Sequence, residues 1–489
     1  MSPRVVVVGG GLAGLLAARR HSLAGAQVTL LEAEPDLGGA VAAAEVAGLE
    51  VNTGAEAYGI SSGAVDQLID ELGLTDQVVE PAPSRSSRIV SAGGRHRSPT
   101  GGLLGIPARP CAPDVRAVIG GAGALRAAVD RLLPAGYGLR DGVTVGDYVR
   151  RRMGRRVAER LVAPIIGGVY SADPDTLELT TVQPRLPAAV RETGSLAGAV
   201  RRLRPASGSG RSPGTAVRSL RPTMAELPRA LAAAIEAAGG TLRTRAAVTA
   251  LAREEDGTWL IGVGEDPGTT ATATAPEILA ADHLVLATTP DQSTALLADA
   301  LPVVAAAIPE APSAPIRLVA LALDAPALDD SPAGTGALVA PGTPGIRAKA
   351  LTHASGKWDH VRRAAREAIG PSGHIVRLSY GRPGEELPET DGLVELALVD
   401  ASRILGVDLD ASHLRGSRVI TWTRAMRQAR VGHREALDQL TRVLTEDRAA
   451  RGLELVGSWR DGTGLDAVAA AARTADPAHP APPSEGSPA

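Results

Sequence analysis

Apolar and polar positions change period several times along this chain, and each change marks an element. Val5-Val6-Val7-Val8 is an unbroken apolar run, the pattern of a strand covered on both faces in a parallel sheet. A helical stretch follows to about Leu23, and Val28-Thr29-Leu30-Leu31 makes a second strand that ends on Glu32. Within 110–205 the apolar positions fall at helical spacing: Leu125, Val129, Leu132 and Leu133, then Val157, Leu161 and Ile165. Alternation returns in Ile316-Arg317-Leu318-Val319-Ala320-Leu321 and in Ile375-Val376-Arg377-Leu378, which suggests an antiparallel sheet roofing a pocket. Arg204–Pro213 reads as a mobile connection, and the Pro/Ala/Ser-rich stretch 474–489 as a disordered tail.

Composition narrows the class. Of 489 residues 44% are hydrophobic, ample for a core, yet aromatics are 2%: five Tyr, four Trp and no Phe. Lys349 and Lys357 are the two lysines and Asn52 the single asparagine, so the bias toward Ala, Gly, Pro and Arg reads as a GC-rich genome rather than a functional signal. The one cysteine, Cys111, allows no intramolecular disulfide and fits a reducing cytoplasm. The early strand leaves no room for a signal peptide, and no apolar run reaches transmembrane length. The net charge of −3 hides an asymmetry. Residues 116–218 hold 17 arginines against eight acids. Solvated helical faces account for this, with an anionic substrate, lipid surface or acidic partner as functional alternatives. Nucleic acid is disfavoured, because no binding motif or aromatic interleaving accompanies the charge.

The chemistry begins in the turn after the first strand. Gly9-Gly10-Gly11-Leu12-Ala13-Gly14 has glycine where each is needed. Gly9 permits the tight turn, Gly11 lets a pyrophosphate approach the backbone, and Gly14 lets helix and strand pack closely. The helix start offers free N–H groups and its positive dipole end to the phosphates. Glu32, at the end of the second strand, is placed to accept from ribose hydroxyls. Strand, turn, helix and acid together specify a dinucleotide site.

Beyond it, Glu32-Ala33 followed by Gly38-Gly39 resembles the opening flavin segment of amine-oxidase-like flavoproteins, with Ala40 where that superfamily usually has Arg. Asp282–Thr288 resembles the strand returning to the flavin domain, and Leu455–Asp466 the closing flavin segment. Pro164-Ile-Ile-Gly167-Gly168-Val-Tyr170-Ser-Ala-Asp173-Pro174 resembles porphyrinogen oxidases, as do Ser98–Gly101, Gly105-Ile106-Pro107 and Ser355-Gly356-Lys357-Trp358. The similarity is greatest to the soluble Gram-positive enzymes acting on coproporphyrinogen III. It implies an α/β fold: an FAD-binding Rossmann-like domain assembled from 1–80, 215–295 and 435–473, a mixed or antiparallel-sheet substrate domain from 81–109 and 296–434, and an Arg-rich helical insertion over 110–205.

The resemblance further implies FAD held by Gly9, Gly11, Leu12, Ala13, Gly14, Glu32, Ala33, Gly38, Gly39, Gly54, Ala55, Val248, Trp459, Gly462, Gly464 and Leu465. Flavin then carries the chemistry, so no acid–base or metal constellation is expected. For the substrate it implies Trp358 as a stacking face, the Gly168 backbone facing the reacting methylene, Tyr170 in the substrate pocket, and Arg88 on a propionate, with Arg85, Arg95 and Arg97 as nearby substitutes. Tyr58 and Trp422 are the remaining aromatics expected near that pocket. The implied partners are a porphyrinogen, molecular oxygen and a downstream enzyme of haem synthesis, with membrane contact peripheral at most. Rival readings are a protoporphyrinogen IX oxidase, a flavin amine oxidase and a non-catalytic porphyrin-binding paralogue. Four positions depart from the family pattern: Arg427 for proline, Ala429 for tyrosine, and Pro222-Thr223 for a glycine pair. His433 reads as a structural residue at a helix start.

Overall fold

The computed structural model describes residues 2–83, 86–204, 217–264, 277–427 and 430–475. Arg85, Ala429, nearly all of the 204–213 connection and 476–489 of the tail lie outside them. At the centre is a five-stranded parallel sheet, ordered Thr241–Arg243, Gln27–Leu31, Arg4–Val8, His283–Leu286, Leu453–Leu455. Its strands come from three distant stretches of chain. The valine run sits in the middle, and its side chains divide by parity. Val5 and Val7 enter one apolar cluster, with Leu15, Tyr58 and Leu231; Val6 and Val8 enter another, with Trp259 and Leu440. Burial on both faces is why this strand shows no alternation. A three-stranded antiparallel sheet, Ala247–Arg253, Trp259–Gly264 and Glu277–Ala281, closes the second cluster.

The alternating segments form a seven-stranded mixed sheet ordered Leu414–Arg427, Ser313–Asp324, Gly373–Tyr380, Ala350–His353, Gly336–Val339, Arg88–Ser91, Gly94–Arg97. Its neighbours are antiparallel except Gly336–Val339 beside Arg88–Ser91. One face is filled by Val319, Leu321, Val376, Leu378 and the helix Leu393–Leu405. The fold is thus mixed α/β.

Between the hairpin Arg88–Arg97 and residue 204, after a short hairpin at 102–107, the chain is helical, with a core of its own that includes Val118, Tyr148, Val157, Leu161 and Val190. Here one reading of the periodicity is corrected. Leu125 is 72% exposed and Leu132 83%, with Val129 also exposed, so this apolar row faces outward. The helix Pro113–Ala128 breaks at Gly120, whose φ is 73°, and buries Val115, Val118, Ile119 and Ala124 instead. A spacing of three and four gives a stripe but not its direction, and the break rotates it.

The segment's charge is largely answered within it. Arg140 and Arg151 pair with Asp147, Arg150 with Asp175, Arg155 with Glu159 and Arg202 with Glu192. Arg126, Arg156, Arg160 and Arg201 donate to backbone carbonyls. These are solvated helical faces. Among the described residues no helix is long and apolar enough to cross a membrane.

Candidate active site

The turn after Arg4–Val8 has the geometry its glycines require. Gly9 has φ 105°, and a Cβ there would lie 2.8 Å from the Ala287 carbonyl oxygen. At Gly14 a Cβ would come within 1.9 Å of the Gly9 oxygen, so helix and turn are packed backbone to backbone. Gly11 differs: no protein atom lies within 4 Å of its would-be Cβ. One glycine therefore closes the turn, another welds it to the helix, and the third leaves open space in front of the backbone. The helix Leu12–Leu23 starts there without a side-chain cap or an acid in its first turn. Its first intrahelical bond runs from the Leu15 N–H to the Gly11 oxygen at 3.0 Å. The preceding N–H groups and the positive helix end thus suit an anion.

Around this turn the chain folds back closely. The Gly10 N–H donates to Glu32 Oε2 at 2.5 Å, which fixes the acid at the mouth of the turn. The Gly38 N–H donates to the Gly10 oxygen, and a Cβ on Gly39 would lie 3.1 Å from the Gly11 Cα. Gly54 packs on Ala40, where a Cβ would sit 1.9 Å from the carbonyl oxygen, and the Ala55 N–H donates to that oxygen. Ala33, Gly39, Gly462 and Gly464 are exposed, and Val248 is half-buried at a register shift in its strand. Leu465 opens the helix Leu465–Thr474 behind Gly464, which has φ 115° and no atom near a would-be Cβ. Trp459 is buried and donates from its ring nitrogen to the Thr288 oxygen. Asp461 accepts from the Gly457 N–H, and burial pushes its carboxyl up to about 6. A cradle that a Cβ would fill, facing a carboxylate and an uncapped helix start, fits the adenine dinucleotide part of FAD.

The sequence matches the family of flavin containing amine oxidoreductases across residues 12–476. This chain belongs to that family. A flavin cofactor and a dinucleotide cradle together make the cofactor FAD, and the protein is an FAD-dependent oxidoreductase. The chain is 29% identical to the coproporphyrinogen III oxidase of Propionibacterium freudenreichii, over 96% of this chain and 90% of that one. To the coproporphyrinogen III oxidase of Bacillus subtilis it is 25% identical, covering 94% of each. Its fold superposes on a solved structure from Exiguobacterium, provisionally named a protoporphyrinogen oxidase, with a TM-score of 0.78 at 25% identity, covering 97% and 98% of the two chains.

The expected substrate residues are placed unevenly. Gly168 lies in a π-helical turn, Ile166–Tyr170, against the seven-stranded sheet: a Cβ on it would reach 2.4 Å from Leu338 Cδ2. Tyr170 is the last residue of that turn. Arg88 is half-buried at the start of its strand, opposite Arg97 in the hairpin. Its guanidinium donates to the Pro332 oxygen, and among the described residues no carboxylate pairs with it. Burial, and then Arg97 and Arg95, lower its pKa.

Trp358, expected as a stacking face, is placed inside the fold. Its indole is 1% exposed, its ring nitrogen donates to Glu56 Oε1 at 2.6 Å, and the Lys357 ammonium lies 4.9 Å from the ring centre. The adjoining cavity, shared with Pro222, Thr223 and Arg377, is about 20 Å³, room for about one water. So placed, the ring packs within the fold. Tyr58 is likewise core, its hydroxyl donating to Asp66. Trp422 is half-buried, with its N–H on the Thr53 oxygen. His433 opens a helix, its Nε2 2.7 Å from the Trp459 oxygen, and Arg427 reaches Asp291 and the Ala311 oxygen.

What composition and spacing did not single out is Glu56. Burial pushes its carboxylate up, but Lys357, Arg377 and the Trp358 N–H outweigh it and bring the pKa down to about 2. Arg377 also donates to the Asn52 and Gly54 oxygens. His21, His283 and Glu454 form the one cluster of metal-ligand type among the described residues. There Arg20 already holds both Glu454 oxygens, at 2.5 and 2.6 Å.

Proposed function

We propose that this protein oxidises coproporphyrinogen III to coproporphyrin III, with molecular oxygen as the final acceptor. Bound FAD would supply the two-electron acceptor for the substrate's methylene bridges, and three such oxidations, each matched by reduction of one dioxygen to hydrogen peroxide, would convert porphyrinogen into porphyrin. The protein's own work is to hold the macrocycle and keep its anionic groups in place. The observation that carries this reading is the Arg88–Arg97 pair. Two like charges stand directly opposite on adjacent strands, an arrangement that costs stability. Arg95 adds a third, and no described acid pairs with Arg88. Carboxylates of a ligand relieve that repulsion, and the guanidinium fork suits them geometrically. Gly168, closed off by Leu338 where a Cβ would stand, offers backbone rather than a side chain to the flexible tetrapyrrole.

Coproporphyrinogen has four propionates and protoporphyrinogen two, so the arginine cluster favours the former. The solved Exiguobacterium relative keeps the latter as a second reading. The test supplies each porphyrinogen aerobically to the FAD-loaded protein and follows porphyrin fluorescence. We expect coproporphyrinogen to be the faster substrate, and Arg88→Ala to raise its KM by about tenfold, the loss of roughly one charge-assisted hydrogen bond. Amine turnover without porphyrin formation moves the assignment to an amine oxidase. Flavin retention with neither activity leaves a porphyrin-binding paralogue.

A further inference from the structure

The π-helical turn Ile166–Tyr170 is a weak element by itself, since π geometry is rarely sustained beyond one turn. It ends on Ser171, a buried non-glycine residue at φ 48° and ψ 32°. Left-handed backbone at such a residue costs about 1–2 kcal/mol, so something outside the turn must hold it. That hold comes from the seven-stranded sheet at two points. Leu338 covers Gly168, and the Lys349 ammonium donates to Ser171 Oγ at 2.8 Å.

Lys349 is itself rigidly seated. Its N–H donates to the Ser379 oxygen at 2.8 Å and its carbonyl accepts from the Val339 N–H at 2.9 Å, so its backbone is locked between two strands. The side chain is 2% exposed and also donates to the Gly381 oxygen at 2.9 Å. Among the described residues no carboxylate pairs with it. Burial, with Arg382 as the charged neighbour, lowers its pKa to about 8. A buried ammonium held by neutral oxygens is an expensive way to fill space, where Met or Leu would serve stability better.

We infer that Lys349 is a positioning residue for the oxidation: through the Ser171 hydroxyl its ammonium fixes where the Gly167-Gly168-Val169-Tyr170 backbone stands against the macrocycle. The inference rests on the porphyrinogen reading above. It is tested with Lys349→Met, Ser171→Ala, Ser171→Gly and the Lys349→Met/Ser171→Ala double variant, all FAD-loaded, by steady-state kinetics and thermal melting. We expect kcat to fall roughly 10- to 100-fold in each single variant, the penalty of a misplaced reacting group. KM, flavin absorbance and the melting temperature should stay near wild type. The double variant should lose no more than the worse single one, because both remove one link.

Ser171→Gly separates placement from backbone comfort, since it relieves the left-handed strain yet deletes the hydroxyl. Wild-type kcat in that variant, or in folded Lys349→Met, overturns the inference. So does a loss of kcat that merely tracks the melting temperature. If Lys349→Met does not fold, the two serine variants decide alone. Wild-type protein that oxidises no porphyrinogen overturns the substrate reading and this inference with it; an active wild type with unaffected variants overturns the inference only.

Discussion

At Glu56 three donors converge on one buried carboxylate: the Trp358 indole, the Lys357 ammonium at 3.1 Å and the Arg377 guanidinium at 3.1 Å. Replacing Glu56 by Gln keeps the shape and removes the charge, leaving two half-buried cations without their counter-charge. We expect Glu56→Gln to cost about 3–5 kcal/mol, the usual penalty for breaking a buried pair. The pH dependence has a definite sign. A carboxyl whose folded pKa is depressed stabilises the fold fully above its ordinary value of 4.5, and that stability is lost as pH falls toward about 2. Denaturation curves between pH 7 and 3 should therefore show wild type converging on Glu56→Gln as the medium becomes acidic. A constant gap across that range would show that Glu56 stabilises by packing rather than by charge. None of these partners could be paired from sequence, because Glu56 and Trp358 lie 302 positions apart. The aromatic character of Trp358 was legible; which atoms would enclose it was not.

At the scale of elements, local signals read well where geometry is local. The strand–turn–helix of the dinucleotide site is written in seven consecutive valines and glycines, and the backbone demands of Gly9 and Gly14 follow from contacts within six residues or across one sheet neighbour. The helix Pro113–Ala128 shows the opposite case: its stripe was visible, but the Gly120 break sent Leu125 and Leu132 to the surface. The glycine turn allows a sharp comparison. Gly11→Ala adds a methyl where no protein atom stands within 4 Å, so the apoprotein should melt as wild type does. The methyl occupies the pyrophosphate approach, and FAD affinity should drop at least tenfold by flavin fluorescence titration. Gly14→Ala instead drives a Cβ into the Gly9 oxygen, and should lower the melting temperature of the apoprotein as well. Equal melting temperatures for the two variants would show that the turn is looser than its packing indicates.

At the scale of the whole molecule, the seven-stranded sheet proposed to hold substrate meets the cofactor cradle at the 52–56 loop. Arg377, on the strand Gly373–Tyr380, donates to the Asn52 oxygen at 2.8 Å, the Gly54 oxygen at 3.0 Å and the Glu56 carboxylate. Trp422 holds the Thr53 oxygen between them. Gly54 in turn packs on Ala40, next to the Gly38-Gly39 pair that lies against Gly10 and Gly11. A contiguous set of backbone contacts thus runs from the sheet proposed to hold substrate to the turn that faces the pyrophosphate. Arg377 was legible in sequence only as the outward member of an alternating strand, since its acceptors lie more than 300 positions away. Its placement predicts an effect at a distance. Arg377→Ala should loosen the 52–56 loop and weaken FAD binding about tenfold, as expected when charge-assisted bonds worth about 1.5–3 kcal/mol are lost in part from the cradle. Arg377→Lys should not restore it, because a single ammonium cannot reach three acceptors spread across a planar fork. Flavin release measured by fluorescence on dilution decides the point. Wild-type retention in Arg377→Ala would mean that the cradle is set entirely by its own glycines and the two halves of the molecule bind independently.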